Sequence, residues 1–234
     1  MKVSISRPAV IVSAVAMLAS VSASASGPPC RPCVGVVTQS PLELTGTLSD
    51  LPPLVDGDRL YVRWSADPAV TDATIRAARA VSEAGAVPWI EIVFTVPSPL
   101  ADHLEALTRE LDATAALARS LPSSTHYQIA WAGGDPATAV EDYAFLLKRA
   151  SVAIQGARDG SRVLTAPLAA DPVLLERLYA EDVAVYVDGV VFDDPGDAEL
   201  ACAVASLGDL APGTPIVIDS RPMPDDPWRM PVIA

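Results

Sequence analysis

Residues 126–166 read HYQIAWAGGDPATAVEDYAFLLKRASVAIQGARDGSRVLTA. Residues 127–131 form an apolar run of strand length, and Gly133-Gly134-Asp135-Pro136 breaks it into a turn. Residues 137–157 then place Val140, Tyr143, Leu147, Ala150 and Ile154 on one face at helical spacing. Asp159-Gly160 turns the chain into a second apolar run at 162–166. Strand, helix and strand joined by short turns make a βαβ unit with parallel strands.

The same alternation continues in both directions. Strands are expected at 34–38, 60–64, 89–95, 187–192 and 215–219, with 39–58 a long loop rich in Pro, Gly, Thr and Ser. Helices are expected at 71–84 (apolar Ile75, Ala78, Val81, Ala84), within 97–121 (Leu104, Leu107, Leu111, Ala115, Leu117), at 173–179 and at 198–207. Gly85 ends the first of these, and Asp171-Pro172 supplies an N-cap and a first helical residue for the third. Seven strands with intervening helices suit either a (β/α) barrel or an open doubly wound sheet. An eighth strand is not evident in Asp225 to Ala234. A barrel without it leaves two parallel edges open, so the chain is a truncated product or a partner covers the gap.

Residues 1–26 have the features of a signal peptide: Lys2 and Arg7, an apolar stretch from Ala9 to Leu18, and the small residues Ala23-Ser24-Ala25. The expectation is a secreted, periplasmic or extracellular protein, with no membrane span once the peptide is removed. Residues 27–58 form an N-terminal segment with the first strand and loop, and 59–234 the remaining, incomplete barrel. The chain's formal net charge is −13, and losing Lys2 and Arg7 leaves 14 basic residues against 29 acidic ones, or about −15. Nucleic acid is excluded as a partner, since phosphate binding needs clustered Lys and Arg. Gly133-Gly134 lacks both the Walker lysine and the dinucleotide glycine spacing, so no nucleotide cofactor is expected. His103 and His126 are the only histidines, which supports neither a His-based metal site nor a Ser-His-Asp triad. In an exported chain Cys30 and Cys33 are read as a local disulfide; Cys202, between alanines, is expected to be buried.

Several stretches together resemble the clan A glycoside hydrolases. Asp142-Tyr143-Ala144-Phe145-Leu146-Leu147-Lys148-Arg149 through Ile154, then Ser161-Arg162-Val163-Leu164, is similar to the helix and fifth strand after that family's acid/base site. Asp171 to Tyr179 is similar to the next helix, Tyr186 to Phe192 to the sixth strand, and Thr214 to Asp219 to the seventh. The resemblance implies a (β/α)8 TIM-barrel-like fold, here lacking the last strand-helix unit. It also implies a carbohydrate ligand and two glutamates, an acid/base after strand four and a nucleophile after strand seven.

Both glutamates are missing from this sequence. Where the family commonly reads Trp-Asn-Glu-Pro, this chain reads Trp131-Ala132-Gly133-Gly134-Asp135-Pro136. Alignment on the tryptophan puts Gly133 at the glutamate; alignment on the proline puts Asp135 there, a residue that also suits a helix cap. After strand seven the candidate is Asp219, which faces inward only with a bulge or shifted register. Catalytic candidates are therefore Asp135 and Asp219. Substrate-binding candidates are Trp64 and Trp131, near strand ends, with Arg63 and Glu91. Glu91 stands among apolar neighbours and needs a partner that Arg63 could supply, as a structural ion pair or as a sugar contact. The expected function is carbohydrate binding with degenerate or lost catalysis. Rival readings are an active glycosidase using displaced carboxylates and a structural or interaction module. The sequence leaves the oligomeric state open.

Overall fold

A computed structural model describes residues 33–37, 60–66, 71–193, 195–219 and 232–233. The predicted leader, Cys30 and most of the 27–58 segment lie outside the described residues. In chain order come β1 (Cys33–Val37), β2 (Leu60–Ala66), α1 (Thr71–Glu83), β3 (Val87–Phe94), a 3-10 turn (Leu100–His103), α2 (Leu104–Ser120) and β4 (His126–Trp131). There follow α3 (Val140–Ala157), β5 (Arg162–Leu168), α4 (Pro172–Ala180), β6 (Gly189–Asp193), α5 (Asp197–Leu210), β7 (Ile216–Asp219) and β8 (Val232–Ile233).

Strands β1 to β7 pair parallel, each with the next in sequence. This is an alternating α/β sheet of the kind expected for a partial (β/α) barrel. The two-residue β8 runs antiparallel to both β7 and β1, so it is not the parallel eighth strand of a regular unit. It pairs with the two edges that would otherwise stay open.

Local signals place the elements. Gly85 and Gly160 take φ of 80° and 81°, a region L side chains rarely adopt, and each reverses the chain into a strand. The Asp171 carboxylate accepts from the Val173 N–H at 2.9 Å with Pro172 opening α4. The helix expected from residue 137 starts later, at Val140. Residues 136–138 instead form a separate turn in which the Thr138 and Ala139 N–H groups both donate to the Asp135 carbonyl.

The outer core lies between sheet and helices. Ile90, Ile92, Phe94, Tyr127, Ile129, Trp131 and Phe192 pack there against Val81, Leu107, Leu147, Ile154, Leu175 and Leu207. A second cluster of Trp89, Leu164, Val191 and Val217 comes from four strands and no helix, so it fills the inner face. Cys202 is exposed, contrary to expectation, because α5 buries only Ala203 and Leu207 and residue 202 sits about 100° around the helix from 203.

Candidate functional site

Side chains alternate along β3: Ile90, Ile92 and Phe94 face the helices, while Trp89 and Glu91 share the inner face. Register carries that face sideways. Arg63 stands beside Trp89, Ser65 beside Glu91, and Gln128 beside Glu91 on the far side. Three neighbouring strands thus bring these polar residues together.

Their bonding is specific. Arg63 Nη2 donates to Glu91 Oε1 at 3.1 Å, and the Ser65 hydroxyl donates to Glu91 Oε2. The side chains of Arg63 and Glu91 are only 11% and 18% exposed, so each needs the other to offset its lost hydration. The Arg63 guanidinium also lies 5.6 Å from the centre of the Trp89 ring, within cation-π range. Trp89 Nε1 donates to Gln128 Oε1 at 3.1 Å. Indole nitrogen can only donate, so this bond fixes which end of the carboxamide is oxygen. Gln128 is fully buried, and its Nε2 meets no acceptor. A buried amide nitrogen without a partner costs about 1–3 kcal/mol. The network reaches solvent at Ser65, which is exposed.

The corner after β4 is built differently. Trp131 is 6% exposed and faces the helices, its ring stacked on Tyr143 of α3 at 6.3 Å between centroids. Its Nε1 donates to the Val96 carbonyl at 2.8 Å, and a Cβ on Gly134 would fall 2.5 Å from the ring. No face of Trp131 is left for a pyranose, which corrects its assignment as a stacking residue. Strand parity is the reason: Trp131 is three residues from inner-face Gln128 and so lies on the opposite side.

Gly133 has an equally tight environment. A Cβ there would lie 1.9 Å from the Val96 oxygen and 2.7 Å from the Thr95 oxygen, where real contacts stay above about 3.0 Å. Ser98 N–H donates to the Gly133 carbonyl at 3.2 Å, tying the two loops together. Gly133 therefore has no room for any side chain. Asp135 is exposed and its Oδ1 accepts from the Ala137 N–H at 2.9 Å, so it caps the turn before α3.

On the far side of the sheet, Asp193 and Asp219 are register partners at the ends of β6 and β7, two residues beyond the inner-face pair Val191 and Val217. The side chains of Trp64, Cys33 and Asp219 lie outside the described residues. Among the described residues no group of His, Cys, Asp and Glu is arranged to hold a metal ion, and no helix is long and apolar enough to cross a membrane. A cleft of about 540 Å³ lies instead on the outer layer, lined by Glu176, Tyr179, Asp182, Val185 and Leu210, away from every inner-face residue.

Of the predicted residues, Arg63 and Glu91 come together; Trp131 and Asp135 take structural positions. Ser65 and Gln128 were missed. Gln128 carried the signal that singled out Glu91, a polar residue inside an apolar strand.

No protein-family model matches the chain, and no curated protein matches it. Among solved structures it is similar to a family 39 glycoside hydrolase from the gut symbiont Bacteroides cellulosilyticus WH2, at 12% sequence identity and a TM-score of 0.48. The match covers 68% of this chain and 37% of that one, so the chain spans little more than a third of that hydrolase's length.

Proposed function

We propose that this chain is an exported carbohydrate-binding protein of glycoside hydrolase ancestry, built on a (β/α)-barrel-like fold, whose catalysis is lost. The observation that carries the loss of catalysis is the β4 corner. Glycoside cleavage needs a carboxylic acid at the leaving oxygen and a second carboxylate beside the anomeric carbon. Gly133 leaves no space for the first, and the one carboxylate in the following turn, Asp135, is engaged with the Ala137 N–H. The inner-face network supports binding: Arg63, Ser65 and Glu91 offer donors and an acceptor near the opening, the polar groups a sugar's hydroxyls require. Export rests on the leader-like residues 1–26.

A second reading is favoured by the register of Asp193 with Asp219. Neighbouring strands are about 4.8 Å apart, so the two residues stand side by side at the strand ends. In that reading the chain is an active hydrolase, and Asp193 rather than Asp135 is the partner of Asp219.

One experiment separates them. Mature protein is offered neutral oligosaccharides and aryl glycosides, following tryptophan fluorescence for binding and released sugar or phenol for turnover. Binding without turnover is expected. Turnover lost in both Asp193→Asn and Asp219→Asn would replace the binding reading with the second. Absence of both signals would defeat each.

A further inference from the structure

We infer that Gln128 is the floor of the inner-face site, and that its Nε2 donates to an oxygen of a neutral, hydroxyl-rich ligand. The inference rests on the carbohydrate reading above and adds to it a residue and a ligand charge.

The carboxamide is fully buried and held one way round, because Trp89 Nε1 occupies Oε1. Nε2 is thereby turned from the indole, and no protein acceptor meets it. Buried polar groups in folded proteins are ordinarily bonded, so an amide fixed in place without an acceptor is arranged for one that comes from outside. Ser65, Glu91 and Gln128 form one layer across β2, β3 and β4, open to solvent on the Ser65 side. The next layer toward the strands' carboxyl ends is the register pair Val93 and Ala130, both only half-buried, and Ala130 contributes one methyl group.

The chemistry of the layer selects the ligand. Glu91 is balanced by Arg63, so the pair brings no net charge. An anion would meet the Glu91 carboxylate, and a cation would meet the Arg63 guanidinium and the Gln128 N–H groups. A hydroxyl accepts from Gln128 and donates to Glu91 at once. A sugar or similar polyol presents such groups in series.

The chain has three glutamines, Gln39, Gln128 and Gln155, and no asparagine, so an amide correlation spectrum of nitrogen-15-labelled protein holds three side-chain NH2 pairs. Gln128→Met, close in volume, identifies the Gln128 pair by its disappearance. Wild-type protein is titrated with glucose, galactose, mannose, xylose, cellobiose and maltose, and with glucuronate as the anionic control, while tryptophan fluorescence reports binding independently. The expected result is that a neutral sugar shifts the Gln128 pair and leaves Gln39 and Gln155 in place. Gln128→Met should bind that sugar about tenfold more weakly, the scale of one hydrogen bond. Sugar binding with an unmoved Gln128 pair overturns the inference and spares the carbohydrate reading. A preference for glucuronate overturns the neutral-ligand assignment. No binding by any sugar overturns both. If Gln128→Met fails to fold, the Gln128 pair is identified with Gln39→Glu and Gln155→Glu, and the wild-type shift decides.

Discussion

Replacing Gly133 with alanine tests the β4 corner with the smallest perturbation available. One methyl group is added, and its carbon would lie 1.9 Å from the Val96 oxygen, 2.4 Å from the Val96 carbonyl carbon and 2.7 Å from the Thr95 oxygen. All three atoms are backbone, so no side chain can swing aside. The loop must move by about 1 Å or more to restore ordinary contact, given a lower limit near 3.0 Å. Overpacking of this kind costs about 1–3 kcal/mol. Moving Val96 also pulls its carbonyl from the Trp131 indole, which donates to it at 2.8 Å, and a buried N–H left without a partner costs about 1–3 kcal/mol more. The expected loss is therefore about 2–6 kcal/mol, a large share of the roughly 5–15 kcal/mol that stabilises a domain. Urea unfolding followed by tryptophan fluorescence measures it. Gly156→Ala is the internal control: it sits near the end of α3 with nothing within 4 Å, so alanine should be neutral or stabilise by up to about 1 kcal/mol. A Gly133→Ala protein within 0.5 kcal/mol of wild type would refute the packed-corner argument and reopen this position to a glutamate.

Other consequences follow from the same contacts. Arg63→Met and Glu91→Leu each strand a half-buried charge and should cost about 2–4 kcal/mol, whereas the double variant should recover most of that loss in the same unfolding assay. Tyr143→Phe removes a hydroxyl that donates to the Ile129 carbonyl and accepts from the Ala166 N–H, linking β4 to β5; a loss of about 1–3 kcal/mol with unchanged sugar binding is expected. Alkaline pH should destabilise the fold. Burial pushes the Tyr127 hydroxyl up to about 12 and raises Tyr143 as well, so above pH 10 the unfolded chain loses protons that the folded one keeps. The contribution of these tyrosines should be flat below pH 10, and stability should fall by about 1.4 kcal/mol per pH unit per tyrosine between pH 10 and 12. A Tyr127→Phe protein should show a shallower decline, and an identical slope would contradict the assignment.

Much of the fold was legible because it depends on local chemistry. Gly85, Gly160 and the Asp171-Pro172 pair each act through their own backbone or a neighbour two residues away, and each does in the structure what its residue type suggests. The α3 start was misplaced because Asp135 caps a separate turn before the helix, a distinction that Pro136 alone does not reveal. Arg63 and Glu91 could be paired from sequence because two charges inside apolar strands require partners. Trp131 was misread because nearness to a strand end says nothing about face; the three-residue step from Gln128 did say it. The crowding at Gly133 was not readable at all, since it comes from Val96, 37 residues earlier in the chain, through a loop-to-loop contact that no local pattern encodes.

The most direct test of the central claim is a paired measurement of binding and turnover on the same protein preparation. Calorimetric titration with neutral oligosaccharides is run beside product analysis of the same mixtures after prolonged incubation. Saturable binding with every oligosaccharide recovered intact is the predicted result. Product above the enzyme-free background, abolished by Asp219→Asn, would contradict it.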